Sequence, residues 1–207
     1  MRVVVAIAVL AAGCDALLGI DTIPAVDASS NAQDAQFSGA RMVFVTPGTY
    51  SGGFATGDPL SFADSLICGQ LVTDQDLPGT WKAWLSTSHV DAVSRFRPGG
   101  GPIVLTDHTT VVASSWAEML SAPLLHEIDL AQDGSTMVST GCGVWTNTDQ
   151  AGMRVGNLPS QTCDDWSDAS ITQSPGEGDA NSTMTWSHDT SCSVPCSGKL
   201  HVYCFQD

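Results

Sequence analysis

The stretch Ala63 to Ser86, ADSLICGQLVTDQDLPGTWKAWLS, changes character halfway along. Leu60, Ala63, Ile67 and Leu71 recur at helical spacing, and Asp58-Pro59 offers an N-cap followed by proline at the first helical position. The spacing predicts an amphipathic helix from Pro59 to about Thr73, with Cys68 on or beside its buried face. Pro78-Gly79 then turns the chain, and Trp81, Ala83 and Leu85 alternate with Lys82, Trp84 and Ser86 as in a strand. Trp81 and Trp84 fall on opposite faces, so both can be buried only if both faces of the sheet are covered.

The same reading extends outward. RMVFVT (41–46), IVL (103–105), TVVA (110–113), GVWTNT (143–148) and KLHVYCF (199–205) read as strands. VDAVSRF (90–96) reads as a short helix, and Ser115 to Glu118 fits a capping box opening another. HEIDL and STMVS flank Asp133-Gly134 as in a hairpin. From Asp149 to about Asn181 turn formers dominate and periodicity is lost. That is too long for an unsupported loop in a compact domain, so the segment is expected to be pinned or functional.

Seven basic residues face 22 acidic ones, a formal charge of −15. Such a surface repels phosphate and sulfate, so nucleic acid is not an expected partner. At the N-terminus, Arg2 precedes the apolar run VVVAIAVL (3–10) and the small residues Ala11, Ala12 and Gly13, the layout of a signal peptide. The run is too short to span a bilayer, which needs roughly 20 residues. Small-small-Gly-Cys resembles the bacterial lipobox, with Cys14 as the lipidated residue; Leu stands one place earlier than usual, at Leu10. The expected parts are a leader over 1–13, Cys14 with a flexible tether to residue 40, and one domain over 41–207. Loss of the leader removes Arg2 and leaves 6 basic residues against 22 acidic, or −16.

With Cys14 lipidated, Cys68, Cys142, Cys163, Cys192, Cys196 and Cys204 remain, an even number. In an exported, oxidising setting they read as three disulfides, with about 15 connectivities open on sequence alone.

The cysteine and tryptophan spacings resemble those of endostatin domains. The run Leu77-Pro-Gly-Thr-Trp-Lys-Ala-Trp-Leu-Ser86, the Ser115-Trp116 helix, Val144-Trp145 with Asp149, Cys163-x-x-Trp166 and the terminal Cys196-x7-Cys204 occur in the family's order. They cover nearly all of the mature domain. With the lipobox, the chain resembles the endostatin-like surface lipoproteins of bacteria, of leptospiral and myxobacterial type. The resemblance implies a C-type lectin-like α+β fold: a twisted, mainly antiparallel sheet, two or three helices, and long loops pinned by disulfides. It implies bridges Cys68–Cys204 and Cys163–Cys196, which leaves Cys142 with Cys192, a pair the endostatin pattern lacks. It also implies an envelope protein, lipid-anchored at the outer membrane or cell surface, that binds an extracellular protein or glycan.

No motif marks a catalytic centre: G-x-S-x-G, H-E-x-x-H and a phosphate-binding glycine loop are absent, and the five histidines are scattered. The expectation is a non-catalytic domain. Thiolate zinc is not expected, because bridges claim the cysteines. Asp164, Asp165 and Asp168 cluster beside Cys163, and Asp-rich loops can supply calcium's six to eight oxygens. The motifs of calcium-dependent sugar-binding lectins are absent, which favours solvated loop acids and turn caps. Arg95 and Arg97 are the sole local basic pair in the mature chain, too little for a heparin-like glycan on so acidic a domain. Among the six tryptophans Trp186, beside the irregular segment, is expected to be exposed and able to contact a ligand.

Overall fold

The computed structural model describes residues 39–137 and 141–207; the leader, Cys14 and nearly all of the tether lie outside the described residues. The helix opens where the sequence placed it. The Asp58 carboxylate accepts from the N–H groups of Leu60 and Ser61 at 3.0 Å, and Pro59 occupies the first turn. Helix α1 runs as α-helix over Pro59–Phe62, widens to a π turn over Ala63–Cys68 and closes as α-helix over Gly69–Thr73. In the wide turn the Gly69 N–H donates to the Asp64 carbonyl, five residues back. The extra residue brings Ile67 and Cys68 inward together; both are buried, while Leu71 is only half-buried.

The strands are β1 (Arg41–Val45), β2 (Tyr50–Ser51), β3 (Trp81–Ala83), β4 (Ile103–Leu105), β5 (Val111–Ala113), β6 (Val144–Trp145), β7 (Glu177–Gly178) and β8 (Lys199–Gln206). Their main path is β5-β4-β1-β8-β6-β7, with β2 and β3 also paired to β8. Helix α2 covers Trp116–Met119 and one 3-10 turn covers Ala92–Arg95. The sheet is mixed: β1–β4 and β6–β8 are parallel, and the other pairings are antiparallel.

Strand β8 is the centre. Cys204 and Phe205 pair with β1 and with β3 at once, so β8 is flanked on both edges. Its side chains alternate between two cores. Tyr203 and Phe205 join Val43, Trp84, Trp116 and Trp186 on one face. Val202 and Cys204 join Phe44, Ile67, Trp81, Trp145 and Trp166 on the other. Trp81 and Trp84 are therefore both buried, one on each side, as a sheet covered on both faces requires. Burying an aromatic of this size is worth about 1.5–3 kcal/mol over leaving it in water.

The capping box at α2 forms only by half. Ser115 Oγ accepts from the Glu118 N–H at 3.2 Å, but the Glu118 carboxylate takes the Ser114 hydroxyl. Among the described residues the Asp133 turn carries one antiparallel bridge, Leu130 to Thr136. At the start of the described residues the Gly39 carbonyl accepts from the Gly101 N–H at 2.9 Å.

The cysteines are joined as Cys68–Cys204, Cys142–Cys192 and Cys163–Cys196, with Cα separations of 5.6, 5.4 and 5.6 Å. The first ties α1 to β8. The other two both end in the segment after β7. Among the described residues no helix is long and apolar enough to cross a membrane.

Candidate functional site

Turns in the irregular segment and in loops elsewhere in the domain are capped by their own side chains. Asp-x-Ser, Asp-x-Thr or Asp-x-Asn recurs, and each time the aspartate accepts from the N–H two residues on: Asp107 from Thr109, Asp133 from Ser135, Asp168 from Ser170, Asp179 from Asn181 and Asp189 from Ser191. Burial opposes ionisation of Asp107, but bonds from Thr110 and Thr109 outweigh it and bring its pKa down to about 2. Bonds from Ser135, Ser170 and Ser191 likewise hold Asp133, Asp168 and Asp189 below the ordinary value. Much of the acidity of this chain is turn chemistry.

The expected acidic cluster sits on an unusual piece of backbone. Cys163, Asp164, Asp165 and Trp166 have φ of 54°, 50°, 52° and 71°, a single left-handed helical turn. Each such residue costs roughly 1–2 kcal/mol, less for aspartate than for cysteine or tryptophan. Four contacts hold the turn. Cys163 is bridged to Cys196. Trp166 is fully buried, donates its indole N–H to the Ser86 carbonyl at 3.0 Å and stacks on Phe54 at 5.7 Å. Thr162 Oγ1 accepts from the Asp165 N–H at 3.0 Å. The Asp165 carboxylate accepts from the Ser88 N–H at 2.6 Å and the Ser88 hydroxyl at 2.9 Å. Gly52 is required beside the turn, because a Cβ there would stand 2.4 Å from Cys163 Sγ.

The three aspartates therefore do not act together. Asp165 clamps the 86–90 loop, Asp168 caps its own turn, and Asp164 is exposed and takes the Ser167 hydroxyl. Among the described residues no group of three or more His, Cys, Asp or Glu side chains could hold a metal ion. The residues do not fit the calcium site considered for them. Trp186 also departs from its expected place. It is fully buried, with Trp84 at 5.5 Å and Tyr203 at 5.9 Å, because its segment folds back against the core instead of lying open. It cannot contact a ligand from there.

What the sequence did not mark is a cavity of about 300 Å³ between the 155–161 loop, the 174–177 segment and residues 188–192. Its polar lining includes Gln161, Ser174, Glu177, His188 and Thr190. Glu177 stands on β7 opposite Trp145 and is 2% exposed. One carboxylate oxygen, Oε1, accepts from the Val194 N–H at 3.1 Å and from the Ser174 hydroxyl. The Glu177 backbone N–H also bonds its own carboxylate, and among the described residues no lysine or arginine pairs with the side chain. Burial pushes the Glu177 pKa above its usual 4.5, against the pull of the Ser174 and Val194 bonds.

The neighbours of Glu177 are held closely. The Gly176 carbonyl accepts from the N–H groups of Asn147 at 2.7 Å and Thr146 at 3.2 Å. A Cβ on Gly176 would lie 3.2 Å from Asn147 Cα and 3.3 Å from the His188 ring. Cys192, bridged to Cys142, lines the cavity, so the bridge that the endostatin pattern lacks braces this wall. The adjoining loop exposes Met153, Val155 and Leu158, at 45%, 44% and 54%. Its one cation, Arg154, is engaged by Asp91 at 3.1 Å. Pro175-Gly176-Glu177-Gly178 reads as turn formers; nothing in its pattern says that the glutamate turns inward.

Compared with known proteins, the sequence matches no family model and no curated protein.

Proposed function

We propose that the chain is an exported, lipid-anchored domain of a bacterial envelope, endostatin-like in its C-type lectin-like fold, that binds an extracellular protein or glycan without catalysis. The observation that carries the reading is where the concave polar surface lies. The sheet is sealed by a core on each face, while the cavity and the exposed Met153, Val155 and Leu158 sit on loops held by two disulfides. A rigid scaffold presenting pinned loops is a common arrangement for recognition. The resemblance motifs support the family reading, since Trp116, Trp145 and Trp166 take packed positions and Cys68 and Cys163 meet Cys204 and Cys196.

Cys14 as the anchor and the outer membrane or cell surface as the location belong to this proposal. Mass spectrometry of the mature N-terminus checks the lipid: a diacylglyceryl cysteine at position 14 is expected, and an intact leader would contradict it. For binding, the purified chain is titrated against a panel of matrix proteins and glycans. Saturable binding that is lost on substituting Met153 and Leu158 by serine supports the proposal. No saturable binding across the panel would favour a structural or protective envelope protein.

A further inference from the structure

We infer that the Glu177 cavity receives a cationic group, a primary ammonium or guanidinium such as the end of a lysine or arginine side chain on a protein partner. The inference rests on the binding role proposed above and narrows it to protein partners that present a basic side chain. Three observations converge. The cavity, about 300 Å³, is at the lower end of the range small-ligand pockets occupy, about 300–1,000 Å³. It suits one side-chain terminus better than an extended glycan. Glu177, which lines it, is 2% exposed, and among the described residues no lysine or arginine pairs with its carboxylate. A buried carboxylate without a counter-ion is costly, and an entering cation would offset that cost.

Apart from the imidazole of His188, the lining supplies no basic side chain. The lining holds no lysine or arginine, and the nearest loop arginine is turned away to Asp91. Anionic ligands are disfavoured by Glu177 and by the formal charge of −15. The Ser174 and Thr190 hydroxyls line the same space and are able to accept from such a head group. The half-exposed Val155 at the wall, with Met153 and Leu158 on the same loop, offers apolar surface to the methylene stem behind such a head group.

The test titrates the full chain with n-butylamine and, in parallel, with butan-1-ol, following the His188 ring resonances by NMR. Saturable binding of the amine is expected, with the alcohol at least about tenfold weaker. Glu177→Gln keeps the Oε1 acceptor for Ser174 and Val194 while removing the charge, and should weaken amine binding by about tenfold or more. Thr190→Lys, at an exposed lining position, places an ammonium on the cavity wall and should abolish amine binding without threatening the fold. Equal affinity for amine and alcohol, or amine binding unchanged in Glu177→Gln, would overturn the inference. If the amine fails to bind while a macromolecule still does, this inference falls and the binding role stands. If the amine binds but no macromolecule does, the binding role falls.

Discussion

Strand β8 and the segment from Thr146 to Gly198 satisfy their backbone groups by opposite means. In β8 the ladder does the work. The strand pairs with β1, β2, β3 and β6, and its side chains fill two cores. In the segment almost no ladder exists. Its N–H groups go to backbone carbonyls within local turns, such as Gly152 to Asp149 and Val155 to Asn147, and to aspartate carboxylates and serine and threonine hydroxyls nearby, and two disulfides fix the result. A ladder follows from hydrophobic alternation and tolerates little variation. A capped and bridged loop can hold shapes no ladder permits, including the left-handed turn at Cys163–Trp166 and the pocket around Glu177. Stability resides in the first region, and the candidate binding surface in the second.

The sharpest way to break this contrast is to remove one bridge from each region. Replacing Cys68 and Cys204 by serine opens a loop of 136 residues' separation and leaves polar groups in the core under α1. A loss of about 5 kcal/mol is expected on the chain-entropy model, spread over the whole domain and seen as a single urea transition shifted down. Replacing Cys163 and Cys196 spans only 33 residues, worth about 4 kcal/mol on the same model. Relief of the left-handed turn should return part of that, so a smaller loss is expected. Its signature is local: limited proteolysis should cut between Trp166 and Val194 while the sheet stays intact. Equal loss in both variants, with no local cleavage, would erase the distinction between the regions.

A smaller effect is expected at the seam between them. Asp165→Asn weakens the charge-assisted bonds to the Ser88 N–H and hydroxyl that join the left-handed turn to the loop after β3. A loss of about 1.5–3 kcal/mol should appear in denaturant unfolding. No change would mean that the disulfide alone holds the turn.

The smallest effect has an unusual sign. Glu177 has its folded pKa raised, so ionisation disfavours the folded state as pH climbs above 4.5 and through the raised value. Below 4.5 the group is protonated, folded or unfolded, and contributes no difference. Glu177→Gln should therefore raise the melting temperature at pH 7, and the gain should vanish at pH 4. A variant less stable than the parent at pH 7 would contradict the assignment of Glu177 as an uncompensated buried acid. A stability cost at a binding group is the expected trade when a site is shaped for a ligand.

The sheet region was legible in the sequence because its physics is periodic. Leu60 to Leu71 showed a helix, and Trp81 and Trp84 on opposite faces set the condition that both are buried only in a sheet covered on both sides, a condition the fold meets. The π turn at Ala63–Cys68 was not legible, since one extra residue in a helix leaves no mark beyond a small drift of the apolar stripe. The mixed pairing of the sheet was equally hidden, because local alternation carries no information on direction. In the loop region only the need for pinning was visible. Trp186 looked exposed because its neighbours are polar, but Ser187 is itself buried, accepting the Trp84 indole N–H at 2.8 Å and donating to the Thr148 carbonyl at 2.7 Å. Asp164, Asp165 and Asp168 read chiefly as loop acids and turn caps, but proximity in sequence could not show that each is engaged by a different partner. A regular signal that was available is the recurrent Asp-x-Ser, Asp-x-Thr or Asp-x-Asn turn, which accounts for many of the acids without invoking a partner. Glu177 carried no signal, as its burial depends on contacts from residues 147, 174 and 194.

The account stands most directly on how the six sulfurs are joined in the folded chain. Proteolysis without reduction, followed by mass spectrometry of the linked peptides, reads this in one experiment. Cross-links Cys68–Cys204, Cys142–Cys192 and Cys163–Cys196 are predicted, with no free thiol among the six. Free thiols at Cys142, Cys163, Cys192 and Cys196 in folded protein would leave the loop region without the ties that shape it, and would contradict the account.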